Sequence, residues 1–203
     1  MKKKQKKSII HELIEWTLYL FSAVIVASIL HSQVFAMTIV NQQSMENTLI
    51  EGQKLVMEKI SYEFHEPRRG DIVVFLNNET KGLTNTEGFI NKLIIYVNDI
   101  SLKLKGENRN DRLIKRVIAV AGDEITIKDG YVYVNGEKLD EPYTKTITPD
   151  QNISEIIPEG YVYVMGDNRS NSKDSRSFGS VEIKQIEGKI IYRLSPINKI
   201  GKP

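Results

Sequence analysis

Residues 112–127 read RLIKRVIAVAGDEITI, and this stretch decides the fold class. Aliphatic and β-branched residues run almost unbroken to Gly122-Asp123, a turn pair, and resume as EITI, so the segment predicts two consecutive strands. A strand period of two puts Leu113, Lys115, Val117 and Ala119 on one face and Ile114, Arg116, Ile118 and Val120 on the other. Immediately downstream, Asp129-Gly130 and Asn135-Gly136 flank YVYV (131–134). Both pairs accept positive φ and favour tight hairpins, so residues 123–160 are expected to form a hairpin-rich subregion. KLVMEK (54–59), DIVVFL (71–76), YVYVM (161–165) and KIIYRL (189–194) add further short strands. Residues 41–203 therefore read as one mainly β domain, and a chain of 203 residues has room for that domain and an appendage.

The appendage is N-terminal. From Trp16 to Met45 no residue carries a full charge; WTLYLFSAVIVASIL (16–30) is almost wholly apolar, and VFAMTIV (34–40) extends it. About 20 helical residues cross a bilayer core, so residues 16–40 suffice for a transmembrane anchor. Lys2, Lys3, Lys4, Lys6 and Lys7 precede this run, and the next basic residue is Lys54. The positive-inside rule then keeps residues 1–15 cytoplasmic and exports residues 41–203. A cleaved secretory signal with its cut after Ala36 is the competing reading. The apolar run is long for such a signal and continues past that cut. A buried core helix would leave the lysine block without a home.

Residues 89–104, FINKLIIYVNDISLKL, follow a different period. Ile90, Leu93, Ile94, Val97, Ile100 and Leu104 share one helical face, with Asn91, Lys92, Asp99 and Lys103 elsewhere. Two placements fit an amphipathic insertion spanning 82–106, its apolar face packed on the β core or lying on the outer leaflet of the membrane, and isoleucine-rich β structure is the remaining reading.

Composition narrows the chemistry. The 28 basic and 26 acidic residues include five lysines and two acids before residue 41, which leaves 23 and 24 in the body. A near-neutral body with no basic cluster argues against nucleic-acid binding. Cysteine is absent, so a thiolate metal site and a cysteine nucleophile are excluded. His11, His31 and His65 are scattered, which argues against a histidine metal site and a Ser-His-Asp triad. Serine, threonine, carboxylate and lysine remain as working groups. Lys115 is a cation among apolar neighbours on its strand face. Such a lysine either snorkels to water from an edge strand or is desolvated, and a desolvated amine becomes a candidate general base. Ser44, in VNQQSMENTLIEG, lies just past the apolar run; by position it is a cap or loop residue as readily as a nucleophile. MGDNRSNSKDSRSFGSV (165–181) gathers Asp167, Asn168, Arg169, Ser172, Asp174 and Arg176 after a strand, as a polar surface loop or a buried supporting loop would.

Taken in order, the anchor, Ser-Met (44–45), RGDIVVF (69–75), KRV-x-x-x-x-GD (115–123), NGEKLDEPY (135–143) and GDNR-x-NS-x-DSR (166–176) resemble a type I signal peptidase (leader peptidase) of the bacterial Ser-Lys dyad type. The resemblance implies a signal-peptidase-like β catalytic domain on one transmembrane helix. It implies a membrane-anchored serine endopeptidase with Ser44 as nucleophile and Lys115 as general base. It implies no cofactor and no metal. Gln42 falls two positions before the nucleophile, where the family often has a small or hydroxyl residue, and its amide is a candidate oxyanion donor. Ser172 matches the serine that orients the lysine amine, and Asp174 and Arg176 match a supporting pair. Asn47 stands where the family commonly has proline, so positioning of the Ser44 turn is expected to rest on other contacts. The implied substrates are secretory preproteins with small residues at −1 and −3, met at the bilayer surface, with walls near Ile39, Val40 and Met45. No family property carries over to 82–106; it is expected to rest on the outer leaflet beside the site. A Ser-Lys self-cleaving peptidase fused to a DNA-binding repressor shares the dyad but not the anchor or the neutral body. A sortase-like enzyme lacks its cysteine here. An anchored β-rich adhesion domain is the non-enzyme alternative.

Overall fold

The computed structural model describes residues 9–76, 88–106 and 112–203. The five N-terminal lysines and residues 82–87 of the insertion lie outside the described residues. In chain order the elements are α1 (Ile9–Gln33), β1 (Phe35–Ile39), β2 (Lys54–Glu58), α2 (Ser61–Phe64), β3 (Ile72–Leu76), α3 (Phe89–Leu104), β4 (Arg112–Val120), β5 (Glu124–Lys128), β6 (Tyr131–Val134), β7 (Glu137–Lys138), β8 (Ile153–Ile156), β9 (Tyr161–Met165), α4 (Ser175–Phe178), β10 (Val181–Glu182) and β11 (Ile186–Arg193). Short 3₁₀ turns occupy Gln43–Met45 and Arg169–Asn171.

The strands form two antiparallel sheets, one ordered β1-β2-β11-β3-β4-β9-β10 and one ordered β7-β6-β5-β8. β4 is nine residues long and runs through the interior of the larger sheet between β3 and β9. Its apolar residues are needed on both faces. Ile114 packs with Met45, Leu55, Ile72 and Val74 on one face, and Leu113 and Val117 pack with Val73, Phe75, Val162 and Val164 on the other. A third cluster joins Ile118, Ala119 and Met165 to Ile125, Ile127, Val132 and Val134 of the smaller sheet, so one core layer holds the two sheets together. The hairpin-rich subregion is the smaller sheet. Asp129 and Asn135 adopt φ of 52° and 55°, each followed by a positive-φ glycine, as their turn chemistry requires.

The N-terminal apolar run divides. α1 has 25 residues, about 37 Å at the helical rise, and its apolar stretch Ile9–Leu30 is wholly unburied by the rest of the chain. Residues 35–39, expected within the anchor, are extended instead. FAMTI pairs residue for residue with β2, from Phe35 opposite Glu58 to Ile39 opposite Lys54. Backbone partners on β2 satisfy a strand there, which an isolated hydropathy count does not register.

α3 is a helix as its period predicts, but its orientation overturns packing of the apolar face on the β core. The residues turned to the body are Lys92, 8% exposed, and Ile95, 2% exposed, whereas Val97 is 56% and Leu104 84% exposed. Ion pairs decide this. Arg112 donates to Asp99 at 2.7 Å and to Glu187 at 2.7 and 2.9 Å, and Lys92 pairs with Glu63 of α2.

One close approach tests the sheet. A Cβ on Gly188 of β11 would lie 2.3 Å from the Glu58 carbonyl and 2.9 Å from Met57 Cγ. Gly188→Ala is therefore expected to lower unfolding stability by about 2 kcal/mol or more, read as a fall in denaturation midpoint. An unchanged midpoint would mean that β2 and β11 are not packed this tightly.

Candidate active site

The 3₁₀ turn Gln43–Met45 carries Ser44 to the face of β4, where Lys115 projects. Lys115 Nζ lies 2.6 Å from Ser44 Oγ and donates to the Ile114 carbonyl at 3.2 Å. Lys115 is 1% and Ser44 7% exposed. Burial pushes the Lys115 amine down from 10.5 to about 8; Asp174 pulls it back up, and Arg176 presses it lower. A pKa of about 8 leaves roughly a tenth of the amine neutral at pH 7, far more than an unperturbed lysine has, and that fraction grows as pH rises. The snorkelling alternative does not describe this lysine: its amine ends inside the protein.

The loop after β9 fixes the Ser44 turn from behind. The Asn168 N–H donates to the Ser44 carbonyl at 3.0 Å, and the Asn47 side chain donates to the Asp167 carbonyl at 3.0 Å. Asn47 thus holds its turn by a side-chain hydrogen bond. Arg116 forms a two-pronged ion pair with the fully buried Asp167, at 2.9 and 2.7 Å, and Thr48 donates to the same carboxylate. Arg169, 1% exposed, donates to the Gly166 carbonyl and reaches Glu141 and Thr148, which ties the loop to the smaller sheet.

Asp174 caps α4 and accepts the Gly166 N–H at 3.0 Å and both prongs of Arg176 at 2.8 Å. Burial raises its pKa, but the Arg176 guanidinium and the Gly166 N–H more than offset that, and the carboxyl sits below the usual carboxylate range. Arg176 also donates to the Arg169 carbonyl at 2.8 Å. These two residues brace the loop and contact neither Ser44 Oγ nor Lys115 Nζ by hydrogen bond. Ser172 is in the same wall; its buried hydroxyl contributes to lowering the Asp174 pKa and makes no hydrogen bond to Lys115. Gln42 is half-buried in an extended conformation on the cleft side of the turn. Among the described residues no group of three or more His, Asp or Glu side chains converges as metal ligands would.

Ser44 opens into a cleft of about 590 Å³ bounded by β1 (Ala36 to Ile39), Val40, Gln42, Met45, Met57 and Ile114 on the body, and by Tyr96, Asp99, Ile100 and Lys103 on α3. β1 is the end strand of its sheet, so its outer edge faces this space with backbone groups available to an extended peptide. Sequence reasoning located Ser44 and Lys115 but not the α3 wall, the Arg116–Asp167 pair or the role of Gly166. The Gly-Asp-Asn-Arg run was the one signal available for the last of these.

A buried serine and a buried lysine thus lie in hydrogen-bond contact beside a peptide-sized cleft. The family described as "Signal peptidase, peptidase S26" matches residues 13–195, and the chain belongs to it. It is 34% identical over 195 residues to signal peptidase I of Bacillus caldolyticus, covering 89% of this chain and 91% of that one. It is 34% identical over 160 residues to signal peptidase I of Leptolyngbya laminosa, covering 79% and 68%. A solved signal peptidase I from Enterococcus faecalis V583 aligns with a TM-score of 0.41 and 25% identity, over 62% of this chain and 97% of that one. Membership places the chain among serine proteases that remove signal peptides.

Gly166 offers a test of the bracing loop. A Cβ there would lie 2.4 Å from the Ser44 carbonyl and 2.3 Å from Ser172 Oγ. Gly166→Ala is expected to displace the Ser44 turn and reduce kcat by about 100-fold, since a displacement near 1 Å has that effect on an aligned nucleophile. Cleavage at wild-type rate by a stable Gly166→Ala protein would contradict this packing.

Proposed function

We propose that the chain is a membrane-anchored endopeptidase that removes signal peptides from secreted preproteins at the outer face of the membrane, with Ser44 as nucleophile and Lys115 as general base. The observation that carries this reading is the 2.6 Å separation of Ser44 Oγ and Lys115 Nζ, both buried. Neutral Lys115 takes the Ser44 proton as Oγ bonds to the scissile carbonyl carbon, and the carbonyl π pair moves to oxygen. The tetrahedral intermediate collapses, the C–N bond breaks, and the Lys115 ammonium returns its proton to the departing amine. Lys115 then takes a proton from water as that water attacks the acyl-enzyme. Collapse expels Ser44 Oγ, which regains a proton from Lys115. The Ser44 N–H and the Gln42 amide are the proposed oxyanion donors.

The substrate enters extended along the free edge of β1, and its side chains at −1 and −3 meet shallow walls formed by Ile39, Val40 and Met45. A small side chain fits there without displacing Ala36 or Met57 from the same cleft. α1 is the anchor, its lysine-bearing end cytoplasmic and residues 41–203 outside, with lipid bilayer and preprotein as the partners. Retention of α1 is supported by β1: a cut after Ala36 would divide the strand that pairs with β2 and lines the cleft. Asp174 and Arg176 support the loop, and Ser172 borders the lysine pocket.

Ser44→Ala and Lys115→Met are each expected to lower preprotein cleavage in detergent by about 1,000-fold or more, with the thermal midpoint preserved. Survival of activity in either variant would end the dyad assignment. The pH profile has a definite sign. The base works only when unprotonated, so kcat/KM should rise as pH increases through about 8, the value to which burial lowers Lys115. A rate that falls over pH 7–9 would exclude a lysine base.

A further inference from the structure

α3 turns Lys92, Ile95, Tyr96 and Asp99 to the protein and leaves most of its apolar stripe to the surroundings. Lys92, Tyr96 and Asp99 face inward, where Lys92 pairs with Glu63 and Asp99 with Arg112. Ile90, Ile94, Val97 and Leu104 lie along the other side with exposures of 70, 39, 56 and 84%. A surface helix in water buries its apolar stripe and hydrates its charges; this helix does the reverse. The inward ion pairs fix its rotation, so it cannot roll the stripe under the body without breaking both. α3 also packs against α1, the helix long and apolar enough to cross a bilayer. Leu104 lies between Lys103 and Lys105, whose stems are long enough to keep their ammonium groups at a lipid–water boundary.

We propose that α3 is an in-plane membrane helix. Its Ile90–Ile94–Val97–Leu104 stripe sits in the outer leaflet against α1, and its Tyr96–Asp99–Lys103 side forms the lipid-proximal wall of the substrate cleft. The occupant of the stripe is lipid because α3 packs against a helix long and apolar enough to cross a bilayer, whose apolar window the rest of the chain leaves without a buried residue. The consequence is positional. The cleft lies between β1 and α3, so a peptide leaving the bilayer beside α1 reaches Ser44 without crossing bulk water. This rests on α1 being a retained anchor, and its test has a readout independent of the dyad.

The full chain contains no cysteine, so single-site spin labels are specific. Val97→Cys, Leu104→Cys and, as a control on the smaller sheet, Ser154→Cys are labelled and reconstituted in phosphatidylcholine–phosphatidylglycerol vesicles. The expected result is that labels at 97 and 104 collide more with oxygen than with a soluble nickel chelate, while the label at 154 does the opposite. Chelate access at 97 and 104 equal to that at 154 overturns the proposal. Dipolar broadening between labels at 97 also overturns it, since a second copy would then cover the stripe. In the same vesicles Ile94→Glu with Val97→Glu should lower cleavage of a membrane-inserted preprotein on the order of tenfold. Cleavage of a short soluble peptide in detergent should stay within about twofold of wild type. Equal rates on both substrates overturn the cleft-wall part. If the double variant loses both activities, the label depths decide alone. If labels enter lipid while Ser44→Ala stays active, the dyad reading fails and this one stands.

Discussion

A primary amine kept out of water within reach of a hydroxyl is the constraint around which this molecule is arranged. An ammonium in that place is unfavourable, and a neutral amine is a base without a proton to lose. The protein must therefore enclose Lys115 firmly enough to exclude water while leaving Ser44 accessible from one side. Placing the lysine on an interior strand of the larger sheet achieves the first requirement, because β3 and β9 flank β4. The 3₁₀ turn after β1 achieves the second, because it brings Ser44 to the lysine from the cleft side.

Charge then surrounds the amine without touching it. Asp167 is matched by Arg116 and Asp174 by Arg176, each pair in two-pronged geometry and each buried. Broken singly, such pairs leave an uncompensated buried charge, so they act as rigid struts between loops. Desolvation is the leading cause of the lowered basicity of Lys115; Asp174 and Asp167 oppose it and Arg176 adds to it. The same device recurs at Arg112, which joins Asp99 of α3 to Glu187 of β11. Ion pairs thus set the orientation of α3 more strongly than its hydrophobic period does.

Much of the β domain was legible in local pattern. The strands at 54–58, 72–76, 112–120, 124–128, 131–134 and 161–165 follow from β-branched runs between turn residues, and both hairpins follow from Asp-Gly and Asn-Gly. β1 was not legible: FAMTI continues an apolar run and is a strand only because β2 offers it a partner. Gly166 was visible as a letter in a motif, but its need for a bare Cα comes from the Ser44 carbonyl, 122 residues away in the chain. For α3 the period identified the helix and its two faces, and left open which face meets the body.

By itself the amino-acid order determined most element types of the β domain, the turn positions and the absence of thiol chemistry. Those properties depend on neighbours within a few residues or on composition. Only tertiary structure decided that Lys115 is buried, where the apolar run changes from helix to strand, and which way α3 turns. Each of those depends on groups distant in the chain whose burial or charge outweighs the local preference.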